Sequence, residues 1–274
     1  MIMHGVKGIA ALVGCLALLS PALAAELVIP GSGDCEYVLA RLAEAFEKLK
    51  PGVKVVVPES TGSAGGIKAV QDNQAQIGRI ARALKPEEAQ AGLKTLQFGR
   101  DPVVFAVGER VALKSISEAR LLEVFGGKVR NWNELGADAA PIRLVVREKT
   151  DASYLVIAKL MPRFAALKFD DSAKLVAKTP EMIDLLSRYK TAIGWSTASA
   201  LKAGGGTIRA LAIDGTEPGP ATVASGKYPL VAEYALVFRE ERLTREAREF
   251  MAYVVSPAAQ DLLRAHGLAA AARR

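Results

Sequence analysis

The sequence has few of the residues that build disulfide frameworks, metal sites and histidine-based active sites. Its 274 residues include only two cysteines and two histidines. Two cysteines cannot form a disulfide scaffold or a multi-cysteine metal site, and two histidines leave little scope for zinc binding or general-base catalysis. We therefore expect no metal ion or other cofactor. No internal repeat and no proline- or serine-rich linker is found, and 50% hydrophobic residues indicate a globular protein with a sizeable core.

Acidic residues are fewer than basic ones. There are 29 Asp and Glu against 36 Lys and Arg, which gives a formal net charge of +7. Such an excess suits an anionic partner, although it describes the surface field rather than the fold. Nucleic-acid binding is not expected, because no basic run is interleaved with aromatic residues.

Charge is absent from one long stretch near the amino terminus, Gly8–Ala25. Lys7 precedes this apolar stretch, and Ala22-Leu23-Ala24 supplies small residues at its end. This pattern predicts a secretory signal peptide over residues 1–24, and hence a periplasmic protein. A transmembrane anchor is disfavoured because Ser20-Pro21 interrupts a short apolar core.

A lipoprotein is a second alternative for the amino terminus, because Leu12-Val13-Gly14-Cys15 resembles a lipobox. Processing there would leave an apolar stretch, residues 16–25, at the start of the mature chain, where a polar tether is expected. Cleavage after Ala24 is therefore preferred. It leaves Cys35 as the one cysteine of the mature chain, without an intrachain disulfide partner.

Short apolar runs alternate with helical patterns along the rest of the chain. A strand at 27–29 precedes an amphipathic helix that ends at Pro51-Gly52, and a strand at 53–57 precedes a helix from about 66 to 71. Thr179-Pro180-Glu181 has the pattern of an N-cap followed by a first-turn proline and acid. The alternation predicts an α/β protein with layers around mostly parallel sheets. Further strands are predicted at 77–80, 102–107, 142–146, 192–195, 208–213 and 230–238.

Three turns of small residues each lead from a predicted strand into a helix. They are residues 31–35, 60–66 and 147–153. Each exposes backbone N–H groups at a helix end that carries partial positive charge, glycines permit close approach, and Arg147 can bind two oxygens at once. One such turn alone is a capped helix start, but three in one chain favour an oxyanion site. None matches a P-loop or a dinucleotide-binding fingerprint.

The three loops, in this order, resemble those of the phosphate-binding proteins of ABC phosphate importers. The resemblance covers essentially residues 27–266. Further segments carry it: Gln76–Leu84 resembles "DIGxxSRxL", Asp101–Val107 the crossover strand, Leu121–Gly136 "IFxGxIxNWxxLG", Ile193–Trp195 "IGY" and Tyr228–Leu230 "YPL".

This resemblance implies a type II-like periplasmic-binding-protein fold, in which two α/β lobes are joined by two crossover strands. Lobe one would comprise residues 25–106 and 231–274, and lobe two residues 107–230. It also implies a monomeric, non-enzymatic receptor that binds inorganic phosphate or a similar tetrahedral oxyanion and presents it to an ABC permease in the membrane. The ligand-binding residues expected from the loops and the resemblance are Ser32, Gly33, Asp34, Cys35, Ser63, Ala64, Gly65, Arg82, Arg147, Asp151, Ala152 and Ser153.

Several positions depart from the family's usual residues. Asp34 and Cys35 replace threonines, Ala81 replaces a ligand-facing Ser or Asp, and Asp151 opens the segment that usually reads Ser-Gly-Thr after Arg147. A carboxylate that faces a dianion is repulsive unless a proton lies between them. Asp151 is therefore a candidate acceptor for the proton of hydrogen phosphate, which sulfate lacks. The alternative is a helix N-cap turned away from the ligand, and for Asp34 the cap is the preferred interpretation.

Two other functions are weighed against a phosphate receptor. One is a diverged paralogue that binds another ligand or acts as a sensor or partner-binding module. The other is an enzyme, such as a phosphatase or a thiol hydrolase that uses Cys35. The enzyme is disfavoured because the mature chain keeps one histidine, His266, and no Asp/His metal cluster. Cys35 is expected to be a buried, unreactive thiol.

Overall fold

The computed structural model describes residues 25–271, so the predicted signal peptide and Cys15 lie outside the described residues. The strands are β1 Ala25–Val28, β2 Val53–Val56, β3 Ile77–Ile80, β4 Lys94–Gly108, β5 Ser115–Ile116, β6 Arg143–Arg147, β7 Lys174–Val176, β8 Ala192–Thr197, β9 Ile208–Ala210, β10 Ala212–Ile213 and β11 Val231–Phe238. The helices are α1 Glu36–Leu49, α2 Gly62–Gln71, α3 Pro86–Gln90, α4 Glu118–Phe125, α5 Ala152–Leu160, α6 Pro162–Ala165, α7 Thr179–Arg188, α8 Ala198–Leu201, α9 Pro220–Ala224, α10 Arg245–Val254 and α11 Pro257–Ala265. Short 3-10 turns lie at Trp132–Leu135, Lys202–Gly204 and Glu240–Arg242.

A seven-stranded sheet has the order β3-β11-β4-β8-β6-β7, with β9 also paired to β4. The 15-residue strand β4 connects its two halves. Residues 94–102 of β4 pair with β11, and residues 103–107 pair with β8. All pairings of β4 and β11 are antiparallel, whereas β6 is parallel to β7 and β8. The expectation of mostly parallel sheets is therefore wrong, because β4 and β11 run in opposite directions as the chain leaves the first half and returns.

A parallel pair of strands, β1 and β2, extends the first half of this sheet. A parallel bridge between Gly31 and Arg79 joins the end of β1 to β3. At the crossover, the backbone N–H of Val103 donates to the carbonyl of Leu230 over 2.8 Å, so the outgoing and returning segments lie side by side. The lobe boundaries at residues 106/107 and 230/231 stay a prediction.

Each half of the sheet packs against apolar side chains of its own helices. In the first half, α1 buries one face, which consists of Val38, Leu39, Leu42, Ala43 and Phe46. In the second half, Trp195 is fully buried among aromatic rings whose centroids lie 5.7 to 6.3 Å away. These cores fix the strand ends from which the three small-residue loops emerge. Among residues 25–271, no helix combines the length and the apolar character needed to cross a membrane.

Two predicted helix starts differ from the structure. Helix α2 begins at Gly62, four residues before the predicted start, and its first turn consists of small residues. Glycine and serine have low helix propensity, so this turn reads as loop in the sequence. Thr179 was expected to be an N-cap, but it is the first residue of α7, and Lys178 is the N-cap.

Candidate functional site

A cleft of about 610 Å³ lies where the three small-residue loops meet. Their strands β1, β2 and β6 all point their carboxyl ends toward it, which is where open α/β sheets bind ligands. Among the predicted ligand-binding residues, those that line the cleft are Ser32, Gly33, Ser63, Ala64, Arg82, Arg147, Asp151 and Ala152. The cleft lining does not include Asp34, Cys35, Gly65 or Ser153. Eight of the twelve predicted residues thus line one cleft and four do not, and their role in binding a ligand stays a prediction.

The first loop takes its shape from Gly31 and Arg79. Gly31 has a φ of +142°, and a Cβ there would lie 1.9 Å from the carbonyl oxygen of Arg79, so no other residue fits. The fully buried Arg79 donates from Nε to the Ser32 carbonyl over 2.8 Å and from Nη2 to the Pro58 carbonyl over 2.7 Å. A third bond reaches the carbonyl of Ile29. One guanidinium thus binds together the chain ends of β1 and β2.

Sequence reasoning missed Arg79 and chose its neighbour Arg82. The available signal was an arginine inside the short apolar strand Ile77–Ile80, since a charge buried in a strand needs hydrogen-bond partners. Arg82 lies on the cleft, but Glu88 accepts one hydrogen bond from each of its two terminal nitrogens, Nη1 and Nη2, at 2.8 Å. Its positive charge is therefore already balanced by a carboxylate.

The second loop supplies a serine and the open amino end of α2. Ser63 Oγ accepts a hydrogen bond from the backbone N–H of Ala81 over 3.1 Å. Its own hydroxyl proton stays available for a ligand. The first N–H groups of a helix have no partner four residues back, so the start of α2 presents donors at the cleft. Gly65 faces the Thr61 side chain, where a Cβ would lie 2.6 Å from Thr61 Oγ1.

The third loop holds a buried ion pair between Arg147 and Asp151. Arg147 Nη1 also donates to Thr179 Oγ1 over 3.1 Å, while its buried Nε has no partner among the described residues. Asp151 is the N-cap of α5 and accepts from the backbone N–H of Tyr154 over 3.1 Å and from the Ser153 hydroxyl. Protein donors therefore occupy both oxygens of Asp151, which favours the cap over the proton acceptor.

For Asp34 the cap interpretation is wrong. Cys35 is the N-cap residue of α1, and no side chain caps this helix. Asp34 is instead buried, with Oδ1 accepting from the hydroxyl of Thr179 over 3.0 Å and Oδ2 without a partner among residues 25–271. Burial raises the pKa of Asp34 to about 7, and the nearby Asp151 carboxylate is the second-largest cause of this rise. Arg147 and Thr179 act in the opposite direction. The sequence could not reveal this contact, because 145 residues separate the partners.

A second buried carboxyl, Asp101, lies on β4 next to the crossover. Asp101 accepts from the backbone N–H of Ser199, and its Oδ2 lies 2.8 Å from the hydroxyl of Tyr234. That hydroxyl is also 2.8 Å from the carbonyl oxygen of Asp34. Burial raises the pKa of Asp101 to about 7. Protonated Asp101 can donate to Tyr234 Oη, which frees the single proton of Tyr234 for the Asp34 carbonyl.

Neither Cys35 nor His266 is placed for catalysis in the cleft. Burial raises the pKa of Cys35 to about 12, so it stays a thiol, which is not the nucleophilic form. Its Sγ contacts the Ser32 carbonyl at 3.7 Å. His266 packs edge-on against the ring of Tyr37, with 5.5 Å between centroids. Within residues 25–271, no group of three or more His, Cys, Asp or Glu side chains is arranged to hold a metal ion.

The sequence matches the PBP superfamily domain over residues 19–258. The chain belongs to the PBP superfamily. The phosphate-binding protein PstS of Bacillus subtilis is 30% identical over 237 residues, which are 84% of this chain and 75% of that protein. The phosphate-binding protein PstS of Borreliella burgdorferi is 23% identical over 248 residues, 87% of this chain and 88% of that protein.

Solved structures of this superfamily have the same fold. A putative phosphate ABC transporter substrate-binding protein from Clostridium perfringens, with bound phosphate, superposes with a TM-score of 0.78. It is 26% identical, and the match covers 90% of this chain and 100% of that one. A receptor from Vibrio cholerae superposes with a TM-score of 0.65 at 21% identity. The predicted α/β periplasmic-binding-protein fold is thereby confirmed.

Proposed function

We propose that the protein is an extracytoplasmic solute-binding protein that captures phosphate, or a similar tetrahedral oxyanion, for an ABC importer. One observation carries the proposal: Arg147, the Ser63 hydroxyl and the amino-terminal turns of α2 and α5 all line one cleft. Two of these groups come from the first half of the chain and two from the second. An anion between them would be bound from both sides.

The donors of the cleft suit an anion with several oxygens. Helices α2 and α5 have 10 and 9 residues and offer N–H groups and partial positive charge at their first turns. Arg147 keeps donors beyond its bonds to Asp151 and Thr179, because a guanidinium carries five N–H groups. Lys149 and Lys178 at the cleft surface add positive charge to the entrance.

The names of the relatives support phosphate as the ligand. The Bacillus subtilis and Borreliella burgdorferi relatives are phosphate-binding proteins, and the Clostridium perfringens structure contains phosphate. The Clostridium perfringens protein is named as a putative substrate-binding protein of a phosphate ABC transporter, which supports a receptor without catalytic activity. A periplasmic location and a monomeric state belong to the same proposal.

The crossover strands offer a route from binding to delivery. An anion held by both halves would favour their approach about β4 and the segment before β11, as in hinge closure around a ligand. Lys178 of the second half and Glu59 of the first half already lie 3.2 Å apart at the cleft mouth. The closed form would be the one that the permease accepts.

Calorimetric titration of the protein without residues 1–24 tests this function. Phosphate, arsenate, sulfate and molybdate are compared, and phosphate or arsenate should bind most tightly. A parallel incubation with a phosphomonoester should release no phosphate. If none of the four anions binds, the proposed function is wrong, and phosphate release would point to an enzyme instead.

A further inference from the structure

We propose that Asp34 is the residue that couples anion binding to proton uptake, its buried carboxyl being protonated whenever an anion occupies the cleft. This inference rests on the proposed function and concerns a residue that does not line the cleft surface. It makes Asp34, rather than Asp151, the carboxyl that decides how binding depends on pH.

The first step is a continuous chain of side chains beneath the cleft. Asp34 accepts from Thr179, Thr179 accepts from Arg147, and Arg147 also donates to Asp151. Asp34 belongs to the first loop, whereas the other three belong to β6, α7 and the cap of α5. The side chains of Arg147 and Asp151 are 4% and 8% exposed, and Asp34 as a residue is 1% exposed. Charge changes at Asp34 are therefore felt at the cleft without much solvent screening.

The second step is the charge of this chain. One guanidinium faces two carboxyls, so full ionisation leaves a net negative charge directly beneath the place where an anion would bind. Interaction energies between charges are several times larger in a buried site than in water. Protonation of one carboxyl makes the chain neutral and removes this repulsion.

The third step is which carboxyl takes the proton. Asp151 accepts bonds from Arg147, from Ser153 and from the N–H of Tyr154, so protein donors engage both of its oxygens. Within the part of the chain that the structure describes, Asp34 accepts one side-chain bond, from Thr179, and its Oδ2 has no partner. Asp34 can therefore take up a proton with the loss of fewer hydrogen bonds than Asp151 would lose.

The surroundings of Asp34 point the same way. The groups whose charges act on Asp34 are the cation Arg147 and the carboxyls Asp151 and Asp101, and Cys35 and Tyr234 are titratable neighbours whose pKa values Asp34 itself raises. Burial is the largest influence on its pKa and raises it to about 7. A bound anion adds negative charge and raises this pKa further, so binding above neutral pH must be accompanied by proton uptake.

Calorimetry of phosphate binding at about pH 8.5, in buffers of different ionisation enthalpy, counts the protons taken up. The natural protein should take up about one proton per phosphate, and its affinity should fall by up to about tenfold per pH unit above 7. Asp34→Asn should take up none and keep a flat affinity over this range. Asp101→Asn is the matched control, because Asp101 is equally buried with a similarly raised pKa, and this variant should still take up about one proton per phosphate.

Each outcome decides the proposal. Proton uptake that persists in Asp34→Asn would place the proton on phosphate itself, and absence of uptake by the natural protein would mean that binding leaves the protonation of Asp34 unchanged; either overturns the inference while phosphate binding stands. Failure of every anion to bind at any pH would instead reject the proposed function. Should Asp34→Asn not fold, Thr179→Val is the second variant. It removes the hydroxyl that donates to Asp34, which raises the Asp34 pKa and moves the fall in phosphate affinity to higher pH.

Discussion

Arg79 and Glu36 form an ion pair of 3.1 Å in which the arginine is completely buried and the glutamate lies at the edge of the fold. The same guanidinium holds carbonyls at the ends of β1 and β2. Burial lowers the pKa of Arg79, yet its partners keep it charged. The first two loops of the cleft therefore depend on a residue that never touches the cleft.

Arg79→Ala should lower the free energy of unfolding by about 3–5 kcal/mol, the usual effect of breaking a buried ionic network. The loss follows because Glu36 and three carbonyls would be left without their donor. Urea unfolding followed by circular dichroism measures it. Arg130→Ala is the control: its side chain is 74% exposed and pairs with Asp170, so a change within about 1 kcal/mol is expected. Equal effects of the two variants would contradict a special role for Arg79.

Arg147→Ala should remove most of the affinity for oxyanions. A charge-assisted hydrogen bond contributes about 1.5–3 kcal/mol, which corresponds to roughly 10- to 150-fold in affinity. The variant also leaves Asp151 unpaired, which adds repulsion. Calorimetric titration with phosphate gives the loss, and Arg188→Ala, an exposed arginine paired with Asp184, should bind as the natural protein does. Undiminished binding in Arg147→Ala would place the anion elsewhere.

Asp151→Ser separates a helix cap from a proton acceptor. Serine retains the capping oxygen for α5, so the melting temperature should fall less than in Asp151→Ala, which costs about 1 kcal/mol for the lost cap alone. The ratio of phosphate to sulfate affinity should stay within about twofold, because the Asp151 oxygens are already engaged by protein donors. A large gain in sulfate affinity relative to phosphate affinity would instead support Asp151 as a proton acceptor.

Stability should respond to pH through Asp101. Burial raises the pKa of Asp101 to about 7 in the folded protein, above its ordinary value of 3.8, so between these two values the folded state holds a proton that the unfolded chain releases. The associated stability is fully present below pH 3.8 and is lost as pH rises toward 7, by about 1.4 kcal/mol per unit. Asp101→Asn should make this decline of stability with pH less steep. The difference in the free energy of unfolding between the variant and the natural protein gives the part that is due to Asp101 rather than to other carboxyls. Parallel unfolding curves at about pH 4.5, 6 and 7.5 provide the measurement.

The sequence predicted the loops of the cleft well because their chemistry is local. Small residues between a strand and a helix, with Arg147 at a strand end, can be read without knowing the fold. The start of α2 was misplaced because glycine and serine form its first turn, and those residues are usual in loops. Local signals thus indicated which loops meet at the cleft, but they placed the start of α2 about one turn too late.

The contacts behind the cleft were beyond sequence reasoning because they join distant segments. Asp34 directly precedes Cys35, which is the N-cap residue of α1. Because aspartate is a common N-cap, Asp34 was taken as the cap although it lies one residue before that position. Its real partner, Thr179, itself resembled a cap in the sequence. Arg79 was hidden in the same way, since its carbonyl partners lie 21 to 50 residues away. Hydrogen bonds of this kind appear only when the sheet has formed.

The position of β11 between β3 and β4 bears on how the chain reaches its native state. Residues 231–238 are synthesised long after β3 and β4, yet they fill the gap between these two strands. Until they arrive, β3 and β4 each expose an unpaired edge, and the first half cannot complete its sheet. A chain that is cut before residue 231 should therefore stay unfolded or aggregate, and during synthesis the first half of the sheet cannot close until residues 231–238 have been made.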